Sequence, residues 1–171
     1  PYAHHYVLQL LAFAANGQGM GEVLSLGDGS DAQNSLAMVP HDLIVDRVYI
    51  QGDATYGQKR GIGLNSASTT IRDSYIANIW FVGQDSQAIC GWNGPGPYLI
   101  TNNYLEAASE NFLLGGADPA IQNLIPSDIT FTKNYVTKPL SWRSRGDVNV
   151  KNLFELKNGQ RVLVDGNIFE N

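Results

Sequence analysis

The side chains able to do chemistry gather in four stretches of the chain. QGDATYGQKR (residues 51–60) offers Asp53, Tyr56, Lys59 and Arg60, and ANIWFVGQDSQ (77–87) offers Trp80, Asp85 and Gln87. A short third stretch supplies Glu106 and Glu110, and TKPLSWRSRGDVNVK (137–151) supplies Lys138, Trp142, Arg143 and Arg145. This mixture suits an acidic sugar chain. Indole and phenol rings present flat apolar faces to pyranose rings, and Arg or Lys pairs with a uronate carboxylate. Tyr56, Trp80, Trp142 and Lys138 are therefore candidate substrate-binding residues. Glycoside hydrolysis needs two carboxyl groups, about 5 Å apart for retention or about 6.5–9.5 Å for inversion, and Asp53, Asp85, Glu106 and Glu110 are candidates for such a pair. β-Elimination from a uronate needs instead a base at C5 and a partner for the carboxylate.

Other chemistries find no support. GIGLNSAS lacks the Lys-Ser/Thr close of a phosphate loop. One cysteine and three scattered histidines do not make a zinc set. His4 and His5, as neighbours on a strand, are expected to face opposite sides and not to share a metal. Asp28 and Asp31 sit in a loop that lacks the oxygen ligands of an EF-hand, so a plain turn is expected there. Nothing in the spacing of Ser, His and Asp resembles a triad.

The four stretches are punctuated by a hexapeptide. It reads VDRVYI from Val45, IRDSYI from Ile71, ITNNYL from Ile100, FTKNYV from Phe131 and VDGNIF from Val164, with starts 26, 29, 31 and 33 residues apart. Self-similarity at such a period marks a solenoid or array. Upstream of each copy apolar residues alternate, as in Leu43/Val45 and Ile129/Phe131, which is the period of a half-buried strand. Between copies lies a second apolar run: VLSL, GIGL, AIC, NFLL and LFEL. No helical period is sustained. The expected fold is all-β: a right-handed, single-stranded parallel β-helix of about five to six rungs, formed by residues 1–171 as one domain. Asn103, Asn134 and Asn167 share the fourth hexad position, where stacked amides can bond from rung to rung, with Ser74 extending the ladder and Val48 ending it. In-register stacking also places Asp46 beside Arg72 and Arg47 beside Asp73. Residues 1–13 form an extra, degenerate rung, with Tyr6 in the first hexad position. The loops after each hexad leave the same edge, so the first and fourth would flank a groove roughly 14 Å wide.

Here the chain resembles the pectin-lyase-like right-handed β-helix repeat proteins, and among them secreted bacterial members. VPHDLIVDRVYI, GGADPAIQNLIPSDITFTKNYVTKPLSWR and VKNLFELKNGQRVLVDGNIFEN carry the resemblance, which extends over nearly the whole chain. It implies an exported protein, extracellular or periplasmic, that binds and in some members degrades an acidic polysaccharide of pectin or alginate type. In β-helix lyases Arg or Lys commonly serves as base, often with calcium. By that analogy Lys59, Arg60, Arg143 and Arg145 are candidate catalytic bases, and Asp85, from the two-carboxylate alternative, completes the catalytic candidates. The chain departs from the polygalacturonases in lacking their paired-aspartate, Gly-His-Gly and Arg-Ile-Lys motifs, and from the pectate lyases in lacking their Asp-rich calcium signature. The sequence names no metal ligands and no required cofactor. Lyase, hydrolase and a non-catalytic, structural or adhesin-like solenoid segment all stay open.

Composition sets outer limits. A formal charge of −5 and no Lys or Arg before Arg47 argue against nucleic acid as partner. VLQLLAFAA is too short to cross a membrane and is read as a strand. Cys90, alone and within an apolar strand, is expected to be a buried, inert thiol. A chain that starts at Pro1 and stops within a turn of its last repeat reads as a fragment of a longer solenoid. Its open end strands would then favour self-association.

Overall fold

A computed structural model describes residues 3–17 and 19–171; Pro1, Tyr2 and Gln18, and with them the start of the extra rung expected over 1–13, lie outside the described residues. Every regular element described is a strand, apart from two short 3-10 helices at Leu36–Met38 and Leu140–Ser144. The strands fall into three parallel sheets. The first contains β1 (Val7–Gln9), β4 (His41–Asp46), β7 (Ala67–Arg72), β10 (Gly96–Thr101), β13 (Ser127–Thr132) and β16 (Gln160–Asp165). The second contains β2 (Ala12–Ala14), β5 (Tyr49–Gln51), β8 (Tyr75–Ile79), β11 (Tyr104–Ala107), β14 (Tyr135–Thr137) and β17 (Ile168–Glu170). The third contains β3 (Gly19–Leu26), β6 (Gln58–Leu64), β9 (Gln87–Gly91), β12 (Glu110–Leu114) and β15 (Phe154–Leu156). Consecutive strands visit the sheets in rotation, an arrangement consistent with a parallel β-helix solenoid and not closed into a barrel.

The hexapeptides lie in register. Val45, Ile71, Ile100, Phe131 and Val164 are successive partners in the first sheet. Ile50, Ile76, Leu105, Val136 and Phe169 are successive partners in the second. In the third, Ile62, Ile89, Phe112 and Phe154 complete the inner lining. Ile71, Ile76, Ile89, Ile100 and Phe112 are wholly buried in one continuous core. Alternation accounts for this: in β10 Tyr98 and Ile100 point inward while Pro97 and Leu99 are exposed.

Each hexapeptide is split by a corner. Its third residue takes a left-handed backbone, with φ of 51° at Arg47, 52° at Asp73, 55° at Asn102, 56° at Lys133 and 63° at Gly166. Only Gly166 does so without a Cβ penalty, roughly 1–2 kcal/mol per residue for the others. The fourth residue then has an N–H that no strand neighbour satisfies. The fourth side chain of the next pass takes it. The Val48 amide donates to Ser74 Oγ at 3.0 Å, and that of Ser74 to Asn103 Oδ1 at 3.0 Å. The Asn103 amide donates to Asn134 Oδ1 at 3.0 Å, and that of Asn134 to Asn167 Oδ1 at 2.8 Å. Each asparagine Nδ2 in turn donates backward to a carbonyl of the preceding pass: Ile71, Ile100 or Phe131. On the neighbouring outer face Tyr49, Tyr75, Tyr104 and Tyr135 stack with centroids 5.3, 4.5 and 5.6 Å apart.

Three sequence expectations need correction. Val7 pairs with Ile44 and Leu8 with Val45, so Leu8, not Tyr6, takes the first hexad position. That puts Leu10 at the left-handed corner (φ 56°) and Leu11 in the ladder position, where a hexad starting at Tyr6 would have put Gln9. Gln9 instead donates to Asp46 at 2.6 Å. Of the two charge pairs, Asp46–Arg72 forms at 3.3 Å. Arg47, however, turns to the adjacent Asp46 at 2.8 Å, and Asp73 accepts from Asn102. One carboxylate serving two guanidiniums outcompetes two separate pairs because Asp46 is buried and still needs partners. Last, His4 and His5 do not face opposite ways; their rings meet at 4.8 Å, because His5 is itself left-handed (φ 59°).

The ladder yields a stability test. Asn134→Ala strips the buried Asn103 amide of its acceptor and the Ile100 carbonyl of its donor, so urea denaturation should show a loss of about 2–4 kcal/mol. Asn167→Ala, at the more exposed end, should cost less. Equal losses at the two sites, or none at Asn134, would mean that the corner does not depend on these amides.

Candidate functional site

The loops leaving the second sheet do not frame an open groove. The long segment after β14 folds across the segment after β8. Val82 and Val148 form an antiparallel bridge, and the Gly83 amide donates to the Asp147 carbonyl at 2.9 Å. Beneath this cover Trp80, Trp142, Ala108 and Val148 form a separate apolar cluster. Trp80 and Trp142 are thus buried, and the outer face of Trp80 is covered by the Arg145 guanidinium at 4.0 Å. Arg145 also pairs with Asp147 at 2.8 Å. Lys138 is buried as well. Its ammonium donates to the Ala107 and Ser109 carbonyls at 2.8 and 2.7 Å and to Asn111 Oδ1 at 2.6 Å, plugging the tight corner between β11 and β12. Tyr56 and Arg143 are exposed and stand outside the site described next. The groove expected between the first and fourth loops is therefore replaced by a packed cover, because the apolar residues of the fourth loop find partners on the second.

A cleft does exist, beside the third sheet. It holds about 460 Å³, and Lys59, Arg60, Asp85, Trp92, Asn149 and Lys157 are among the residues that line it. Cys90 and Leu113, the outward neighbours of core residues Ile89 and Phe112, form its floor. Of the expected site residues it unites Lys59, Arg60 and Asp85. Trp92 and Lys157 were not anticipated. Both follow third-sheet strands, β9 and β15, so the register that aligns the core also aligns them.

A rail of polar side chains runs along one wall. Glu22 pairs with Arg60 at 3.1 Å, and Arg60 Nε donates to Gln87 Oε1 at 3.2 Å. Gln87 Nε2 donates to Glu110 Oε2 at 2.8 Å, and Lys151 reaches both Glu110, at 3.8 Å, and Asp85. Arg60 lies 5.1 Å from the Trp92 ring centre, and the indole is pinned by its own N–H donating to the Gly29 carbonyl at 2.9 Å. Lys59 donates to Gln84 at 2.8 Å, and Lys157 pairs with Glu155 at 3.4 Å.

These contacts set the chemistry. At Asp85 partial burial opposes ionisation, but the Lys151 and Asn149 hydrogen bonds outweigh it, and its carboxyl sits below the usual range. A glycosidic general acid needs the opposite shift. Burial pushes the Cys90 thiol up to about 11, so it is a poor nucleophile, in keeping with the sequence reading. Lys138 is pushed down to about 7, because burial disfavours its ammonium more than nearby Glu110 favours it. That value would suit a base, but its nitrogen is enclosed by three protein acceptors.

No family model, curated protein or solved structure matches this chain. Among the described residues no helix is long and apolar enough to cross a membrane.

Lys138 makes stability depend on pH in a defined direction. Between about pH 7 and 10.5 the unfolded chain holds a proton there that the folded chain does not, so stability should rise with pH in that window. The slope is at most about 1.4 kcal/mol per pH unit, and the gain disappears as pH falls through 7. Denaturation at pH 7, 8 and 9 checks this against Lys138→Met, which should lower stability overall and flatten the slope. A slope unchanged in the variant would assign it to another group.

Proposed function

We propose that this chain is a right-handed, single-stranded parallel β-helix of about five to six rungs, a pectin-lyase-like repeat protein. In this reading it is exported to the periplasm or cell exterior and binds an acidic polysaccharide of pectin or alginate type. The observation that carries the binding reading is the charge of the cleft. In a chain of net charge −5, the lining supplies three cations, Lys59, Arg60 and Lys157, against one carboxylate, Asp85. Trp92 stands among them, its N–H donating to the Gly29 carbonyl and the Arg60 guanidinium lying over one face of its ring. An aromatic face flanked by cations suits a uronate ring, whose apolar face stacks while its carboxylate pairs.

Binding without cleavage is the form the geometry supports best. Of the two base candidates in the cleft, Arg60 is tied to Glu22 and Gln87, and Lys59 donates to Gln84. Asp85 is held ionised, and Lys138 cannot reach a ligand.

Calorimetric titration with oligogalacturonate and oligoalginate, with and without calcium, tests the proposal. Saturable binding that weakens several-fold in Lys59→Ala and in Lys157→Ala, and that falls with added salt, is the expected result. Absorbance of an unsaturated product should not develop. No binding to any uronate, or equal binding by the Lys59→Ala/Lys157→Ala double variant, would overturn it in favour of a purely structural solenoid.

A further inference from the structure

Three histidines and one aspartate meet where the chain leads into β1 alongside β4, and none of them lines the cleft. His4 is the bridge partner of His41, and their rings stack at 5.1 Å. The His5 ring stands edge-on to both, 4.8 Å from His4 and 5.8 Å from His41. Asp42 Oδ2 lies 2.7 Å from His41 Nδ1 and 3.2 Å from His5 Nδ1. The donor atoms of His5, His41 and Asp42 all fall within 4.8 Å of one another.

The backbone creates this convergence. Extended neighbours point to opposite faces of a sheet. Here His5 and Asp42 are both left-handed, at φ 59° and 56°, and they occupy equivalent places on adjacent strands. The irregularity cancels the alternation, so His4 with His5, and His41 with Asp42, share one side. The side chains of His5, His41 and Asp42 stay 68%, 47% and 46% exposed, so a hydrated cation reaches them without any opening of the fold.

The geometry points to a divalent transition-metal site of the zinc class, held by His5, His41 and Asp42, with His4 beside them as a third imidazole. Two nitrogen donors and one carboxylate oxygen match the ligand preference of zinc, nickel or copper, whereas calcium and magnesium take oxygen donors. Ligands about 2.0–2.2 Å from a tetrahedral ion stand about 3.4 Å apart. The observed spread therefore closes by small side-chain rotations. A metal here ties the segment leading into β1 to the start of β4, at an end of the sheet where β1 is mostly exposed.

Tag-free full-length protein titrated with zinc chloride at pH 7.5 tests this site. One ion per chain should bind, and cobalt in its place should give visible d–d bands of a nitrogen–oxygen set. His5→Ala, His41→Ala and Asp42→Asn should each weaken zinc at least about tenfold, while metal-free thermal unfolding stays unchanged. Millimolar calcium should not displace the zinc, and uronate binding at the cleft should be unaffected. Absence of saturable zinc binding, or undiminished binding by the His5→Ala/His41→Ala double variant, would overturn the site.

Discussion

A parallel stack imposes one demand above all others: whatever the backbone leaves unpaired at a corner on one pass, it leaves unpaired at the same place on the next. A single isolated corner can turn its polar groups to water. A column of them under close-packed strands cannot, and buried unpaired N–H groups are costly. An amide side chain solves the problem recursively, since Asn134 accepts from the pass before it and meets Asn167 beyond it. The solution is cooperative, because each rung completes its neighbour, and it fixes register as well as stability. A slip of one residue would put a left-handed corner residue where an asparagine is needed.

Once the corners are fixed, the loops between them are free to differ, and here they have been used to cover the stack. The segment after β14 lies over the segment after β8, with Trp80 and Trp142 as its own small core. Lys138 enters that cover as a polar plug, matching its three donors to two carbonyls and one amide oxygen. Residues with the look of a sugar platform are thereby consumed in packing. The cleft opens instead beside the third sheet, between residues 83–85 on one segment and 115–117 on another.

Repeat architecture was legible in the sequence because hexapeptides announce themselves: an apolar residue, a polar pair, an amide and an aromatic recur in order. The Asn103–Asn134–Asn167 column and the Asp46–Arg72 pair followed directly from stacking. What stayed hidden depended on backbone sign and loop direction. Left-handed φ at Arg47, His5 or Asp42 has no glycine to mark it, so alternation predicted the wrong side for His5 and the wrong partner for Arg47. Leu10 and Leu11 offer no polar signal for the corner of the first pass, and its register was misplaced by two residues. Trp92 and Lys157 lie 65 residues apart, and only alignment of β9 with β15 through β12 brings them to one cleft.

The cleft also shows why charged residues in a solenoid are ambiguous evidence of catalysis. Stacking places side chains of equivalent position about 4.8 Å apart, close enough that like charges repel and opposite ones pair. The Glu22–Arg60–Gln87–Glu110 rail obeys that rule, with a neutral amide between the cation and the second acid. Such a rail is self-neutralising, each charge meeting an opposite charge or a neutral amide. Catalytic acids and bases need the reverse, an environment that destabilises their resting charge. Lys59 and Lys157 escape the rail at either side of the cleft, held only by Gln84 and by the flexible pair with Glu155. Their charge is the part of this surface still available to an incoming anion.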